Sequence, residues 1–176
     1  MVKTITVLML TLCFAAPGLA QDDDYPRIET SFAYSNIGIT VGDIFPGRHS
    51  GFSNISGLNL YPWLGIENYM GYYSLGDGVS LFANTFGARL TARYAGRIVP
   101  YVGAGIGVGY FGASGGTIGG SKLATRIGGG VDIPINDAIS WKIDIGRNTI
   151  KTGFIPGEGW SSGLNVTTGI VLNIGQ

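Results

Sequence analysis

The sequence predicts an all-β fold, an eight-stranded antiparallel up-and-down transmembrane β-barrel, and three observations carry that prediction. Residues 98–111 put Tyr101, Gly103, Gly105, Gly107 and Gly109 on one parity and Val102, Ala104, Ile106 and Val108 on the other, the period of two that marks a strand. Glycine weakens a strand interior, so four in a row on one face fit a crowded space such as the inside of a narrow closed barrel, and the apolar face then looks outward to lipid. Eight segments with comparable alternation recur along the chain. After the N-terminus no run approaches the roughly 20 apolar residues that a membrane helix needs, so a crossing has to use strands.

The first element is a predicted signal peptide. Lys3 supplies a positive charge, residues 5–16 are apolar except for Thr6, Thr11 and Cys13, and Gly18 and Ala20 place small residues at minus three and minus one before Gln21. This pattern marks residues 1–20 as a cleaved export signal. Residues 21–26, with Asp22, Asp23 and Asp24, are a short solvated tail, and residues 27–176 are the barrel domain. Cys13 is the only cysteine, so the processed chain has neither a disulfide framework nor a thiolate metal site. Without Lys3 the chain has ten Lys plus Arg against eleven Asp plus Glu. Such a balance recruits no nucleic acid.

The strands are predicted over 27–35, 54–61, 65–73, 80–92, 98–111, 122–133, 139–148 and 162–174. The connections between them, 36–53, 62–64, 74–79, 93–97, 112–121, 134–138 and 149–161, alternate between longer and shorter. That asymmetry belongs to barrels with short periplasmic turns and longer external loops, and an even strand count leaves both chain ends on the periplasmic side. In the later strands Leu123, Ile127, Val131, Trp141, Ile143, Ile145, Leu164, Ile170 and Leu172 lie opposite a parity rich in charge and glycine. Asn68 falls on the outward parity and leaves the register of 54–61 and 65–73 open. Tyr61, Trp63, Tyr94, Tyr101 and Trp141 gather toward the turns, and Tyr34, Phe52, Tyr72, Tyr73, Tyr110, Phe111 and Trp160 toward the loops, as two interfacial girdles do.

Four segments carry a family resemblance: Trp63-Leu64-Gly65-Ile66-Glu67, Phe86-Gly87-Ala88-Arg89-Leu90, residues 99–107, and the closing Gly169-Ile170-Val171-Leu172-Asn173-Ile174-Gly175. With these the chain resembles the small outer-membrane β-barrel domains of the OmpA/OmpX and opacity-protein type. The resemblance implies residence in the outer membrane of a didermic (Gram-negative) bacterium, contact with outer-membrane lipid, and insertion by the barrel-assembly machinery. It names no chemistry. The chain departs from the family by ending Ile174-Gly175-Gln176, where such proteins carry a terminal aromatic residue that the insertion machinery reads.

Parity points Arg27, Glu29, Glu67, Arg89, Arg126, Asp132, Lys142 and Asp144 into the lumen. Four positive and four negative groups in a narrow space imply mutual pairing. The expected result is a polar plug, with an ion path as its rival. Residues 107–112 spell G-x-G-x-x-G, but a glycine-rich loop follows where a dinucleotide site needs a helix, so no cofactor is expected. His49, the only histidine, leaves a zinc site to carboxylates alone, and no metal is expected. Asn54-Ile55-Ser56 and Asn165-Val166-Thr167 match the glycosylation sequon by chance within strands.

The expected function is therefore non-enzymatic, a structural or surface-interaction role through the external loops. Phe45, Arg48, His49, Phe154 and Trp160 are the candidate contacts for an unidentified surface ligand. Three alternatives stand beside it. One is a narrow passive pore. Another is a lipid A acyl-modifying enzyme built from His49, Asp77 and Ser50 or Ser80. The third is a soluble secreted barrel holding an apolar ligand.

Overall fold

A computed structural model describes residues 25–39, 47–93, 98–113, 116–151 and 159–175. These residues form eight strands: β1 (Ile28–Gly38), β2 (Arg48–Tyr61), β3 (Leu64–Gly76), β4 (Val79–Thr91), β5 (Val99–Ala113), β6 (Gly116–Asn136), β7 (Ile139–Lys151) and β8 (Trp160–Ile174). Each pairs antiparallel with its sequence neighbours, and β8 returns to β1, so the sheet closes with no free edge. The register also fixes the tilt. Stepping across partners from Ile28 through Leu58, Ile66, Ala88, Ala104, Ile127, Arg147 and Leu164 returns to β1 at Gly38, ten residues from the start. A closed sheet with that stagger must tilt its strands against the barrel axis.

The strands run longer than the alternation alone predicts, and two predicted loops largely disappear. The connection expected over 74–79 shrinks to Asp77-Gly78, with φ +49° and +72°. Positive φ at both central residues is the two-residue hairpin turn whose twist matches its strands, and Asp-Gly is a preferred sequence for it. Most of the loop expected over 112–121 is instead a ribbon continuing β5 and β6, in which Ala113 pairs with Gly116 and Gly112 with Thr117. A register shift interrupts it between Gly109 and Phe111, opposite a segment holding Gly120 at φ +68°.

The outward face is apolar and uncovered. Phe52, Phe32 and Ile106 are 72 %, 65 % and 60 % exposed, and Phe86, Val102, Ile127, Ile145 and Leu164 are exposed beside them. A predominantly apolar face of this extent belongs against lipid rather than water. Tyr34, Phe52, Tyr72, Phe82 and Tyr110 are successive register partners across β1–β5, forming one arc of the outer girdle. Tyr61 stacks on Trp63 at 6.0 Å near the opposite end. Tyr73, Tyr101 and Phe111, expected in the girdles, are buried inside instead. Their odd numbers share parity with the inward glycines and charges.

Candidate functional site

Inside the barrel the side chains form two storeys, a charged one toward the chain termini and an apolar one toward the longer connections. At the bottom, Glu29 of β1 accepts from both Arg89 of β4 and Arg93, at 2.6 Å for Arg93. Arg89 also donates to Asn59 Oδ1 at 3.2 Å, and Asn59 Nδ2 donates to the Pro26 carbonyl at 2.7 Å. Tyr25, buried, lies under the guanidinium groups of Arg27 and Arg93 at 5.5 and 5.9 Å. Tyr25 and Pro26, assigned by sequence to a solvated tail, are thus packed as a floor. Burial pulls the Arg93 pKa down from the ordinary guanidinium value, with Asp132 and Tyr25 opposing it.

One level up, Lys142 of β7 and Asp132 of β6 are register partners and approach to 2.7 Å. The ring of Tyr101 lies 4.0 Å from Lys142 Nζ. Arg126 of β6 is bound to Asp144 of β7 and reaches across the lumen to Glu67 Oε1 of β3 at 3.4 Å. Tyr101 donates to Asp144 Oδ2 at 2.8 Å, and Tyr69 places its ring 4.5 Å from the Arg126 guanidinium. Among the described residues each lumen carboxylate therefore has a cation partner, which is the condition for tolerating these groups in a narrow interior. Among the described residues no three His, Cys, Asp or Glu side chains gather as a metal site.

Gly128 and Gly146, directly paired, make the bed for Arg126. A Cβ on Gly146 would stand 3.1 Å from Arg126 Nη2 and 3.3 Å from its Cζ. Gly146→Val is expected to displace the guanidinium from Asp144 and cost about 1–3 kcal/mol by overpacking. Gly159→Val, where a Cβ meets nothing within 4 Å, is the control in urea unfolding of the refolded barrel.

Above the charges, Tyr69 and Tyr73 share a hydroxyl contact. Asn165 Nδ2 donates to Tyr69 at 3.0 Å, and Ser35 bonds Tyr73, Asn165 and Thr167 at 3.1, 2.8 and 2.8 Å. Higher still, Ile37, Ile39, Leu75, Leu81, Phe111 and Ile150 form an apolar cluster that includes Tyr73. The expected polar plug is thus charged in its lower half and mainly apolar in its upper half, where His49 and buried Ser161 stand as register partners of Ile37 and Ile150. A parity rule separates inside from outside but says nothing about height.

Of the eight predicted lumen charges, Glu29, Glu67, Arg89, Arg126, Asp132, Lys142 and Asp144 are buried and ion-paired. Arg27 precedes β1, is half-buried and lies over Tyr25, while Arg93, assigned to a turn by sequence, supplies the second cation on Glu29. Arg48, His49 and Trp160 are on strand ends rather than in loops. Arg48 faces outward with Nε 2.5 Å from Asn36 Oδ1. His49 shares the inward parity of Gly51 and Ser53, and its Nε2 is buried without a hydrogen-bond partner. Phe45 and Phe154 lie outside the described residues. The acyl-transfer set is not assembled, since Ser50 Oγ is engaged by Tyr34 at 2.6 Å and no hydrogen bond joins His49 Nε2 to a serine or to Asp77.

A profile of the outer membrane protein beta-barrel domain matches residues 6–173. No curated protein matches by sequence. Among solved structures, the Neisserial surface protein A (NspA) is similar at a TM-score of 0.69 and 14 % identity, covering 86 % of this chain and 100 % of that one. OprG of Pseudomonas aeruginosa follows at 0.58 and 9 %, covering 86 % and 97 %. AlkL, solved in lipid bilayers, gives 0.55 and 11 %, covering 91 % and 95 %. At these identities the likeness is one of fold.

Proposed function

We propose, from the premise that the chain belongs to the outer membrane protein β-barrel domain family, that it is a non-enzymatic, closed barrel whose role is structural or interactive at the cell surface. Residues 1–20 would act as the export signal, and the longer connections would face outward. The observation that carries this reading is the two-storey interior. Every described lumen carboxylate is held by a cation, and the apolar cluster of Ile37, Ile39, Leu75, Leu81, Phe111 and Ile150 lies across the way above. An ion following the axis would have to leave a paired polar layer and cross an apolar one, which is costly for any charge. A barrel closed in this way serves as a rigid support for its rim, where interactive residues are tolerated.

Planar-bilayer recording of the refolded chain tests it. The expected trace shows no discrete steps above the lipid baseline, and stepwise ionic currents would overturn the closed reading in favour of the narrow pore. The soluble ligand carrier is disfavoured by the outward placement of Phe32, Phe52, Phe86 and Ile106.

A further inference from the structure

Charge on the strands is sorted between the two faces of the wall. The carboxylates of the described strands, Glu29, Glu67, Asp132 and Asp144, are all buried in the lumen. The strand cations of outward parity, Arg48, Arg147 and Lys151, are all exposed, and all stand toward the longer connections. Arg147 is set in the apolar belt, with Ile127 and Leu164 as its register partners and Ile145 before it on the same face of β7. Its guanidinium is turned away from that belt. Nε and Nη2 donate to Ser162 Oγ at 3.0 and 2.6 Å, and Ser162 is the register partner of Thr149, two residues nearer the longer connections. A long cationic side chain on a lipid face bends in this way to carry its charge to the headgroup level, where that charge costs least.

Arg48 repeats the arrangement, exposed and with Nε donating to Asn36 Oδ1 at 2.5 Å. The two arginines end one register row, which runs from Arg147 through Leu164 and Gly38 to Arg48 across β7, β8, β1 and β2. Three strand spacings separate them, about 14 Å. Each guanidinium is anchored along one edge by a neutral acceptor, and among the described residues neither is ion-paired with a carboxylate. A guanidinium anchored so keeps further N–H groups in the planar fork that matches phosphate oxygens. We propose that the outer face of β7, β8, β1 and β2 binds the headgroup of a phosphorylated glycolipid of the external leaflet, Arg147 and Arg48 each taking one of two phosphates. The occupant follows from charge and level. The complement of two unpaired outward cations is an anion, and at the rim of the apolar belt the anions are lipid headgroups. Leu164, Ile145 and Ile127, 50 %, 52 % and 60 % exposed beside Arg147, receive the acyl chains of the same molecule. Two cations on one row call for a headgroup phosphorylated twice.

The site rests on the membrane reading above, and a gel run beside the binding measurement separates the two. Native mass spectrometry of the refolded chain in a non-ionic detergent counts bound lipid as bisphosphorylated lipid A is titrated in. The expected result is one lipid A per chain, with Arg147→Gln and Arg48→Gln each weakening binding at least threefold and the double variant at least tenfold. Both glutamine variants should keep the boiling-dependent mobility shift of a closed barrel, because the two side chains lie outside the lumen. Lipid A stripped of both phosphates tests the same site with the chain unaltered, and should bind at least tenfold more weakly. Binding unchanged in the double variant, a loss confined to one arginine, or equal binding of the stripped lipid would overturn the site. Displacement of lipid A by inorganic phosphate at the lipid's own concentration would overturn it in favour of a soluble anion. Absence of the mobility shift in the unsubstituted chain would overturn the membrane reading and the site with it.

Discussion

Arg126→Ala is expected to lower the stability of the folded barrel by about 3–5 kcal/mol, whereas Lys151→Ala stays within about 0.5 kcal/mol. Arg126 is buried on β6, bound to Asp144 on the adjacent strand and to Glu67 at 3.4 Å on the far wall, with Tyr69 over its plane. Truncation leaves two buried carboxylates beside an empty space and breaks a tie that crosses the lumen. Asp144 keeps the Tyr101 hydroxyl at 2.8 Å, but a neutral donor cannot replace a cation. Lys151 ends β7, exposed, so its alanine variant loses only a solvated side chain. Urea titration of both refolded variants, monitored by tryptophan fluorescence, checks the contrast. Equal midpoints would mean that Arg126 is solvated in the membrane-inserted barrel.

Much of this arrangement is legible in the sequence because a strand's period of two is a binary code. Glu67, Arg89, Arg126, Lys142 and Asp144 all share parity with glycines on their own strands, and Phe86, Ile106, Ile127 and Ile145 take the other parity. The side of the sheet follows without knowing the pairing. Height does not. Leu75, Leu81, Phe111 and Ile150 have the inward parity of the charges yet form a separate apolar storey, because the ten-residue stagger around the ring decides which strand positions share a level. That stagger is a property of the closed register and of no single segment. Arg93 escaped for a different reason. It lies beyond the end of β4, where alternation stops, and its place beside Glu29 depends on Tyr25 and Pro26 forming the floor. The Asp77-Gly78 turn was readable, since Asp-Gly is the strongest short hairpin signal, but Leu75 and Gly76 next to it do not resemble strand residues unless the inward storey at that height is apolar. Asn68, discordant with a purely apolar belt, donates to Asn84 on the next strand at 2.8 Å.

Replacing Lys142 and Asp132 singly and together should separate what the ion pairs contribute from what closes the barrel. Lys142→Met is expected to cost about 3–5 kcal/mol, because Asp132 is then left buried without its cation, and Asp132→Leu should cost a similar amount by stranding Lys142. The double variant should return to within about 1 kcal/mol of the original chain, since a buried ion pair exchanged for apolar side chains of similar volume is often neutral. The two are direct cross-strand partners at 2.7 Å, so one exchange removes one positive and one negative group and leaves Arg89, Arg93 and Arg126 balanced by Glu29, Glu67 and Asp144. Met in place of Lys142 still packs against the Tyr101 ring, now by a thioether contact. A double-mutant cycle on urea midpoints gives the coupling. If the double variant is as unstable as the sum of the singles, the coupling between Lys142 and Asp132 is nil and each is held instead by other groups of the charged storey. Bilayer recordings on the same double variant carry the argument further. The apolar cluster above is untouched, so the barrel should stay silent. Conduction appearing only in the double variant would assign closure to the ion pairs instead.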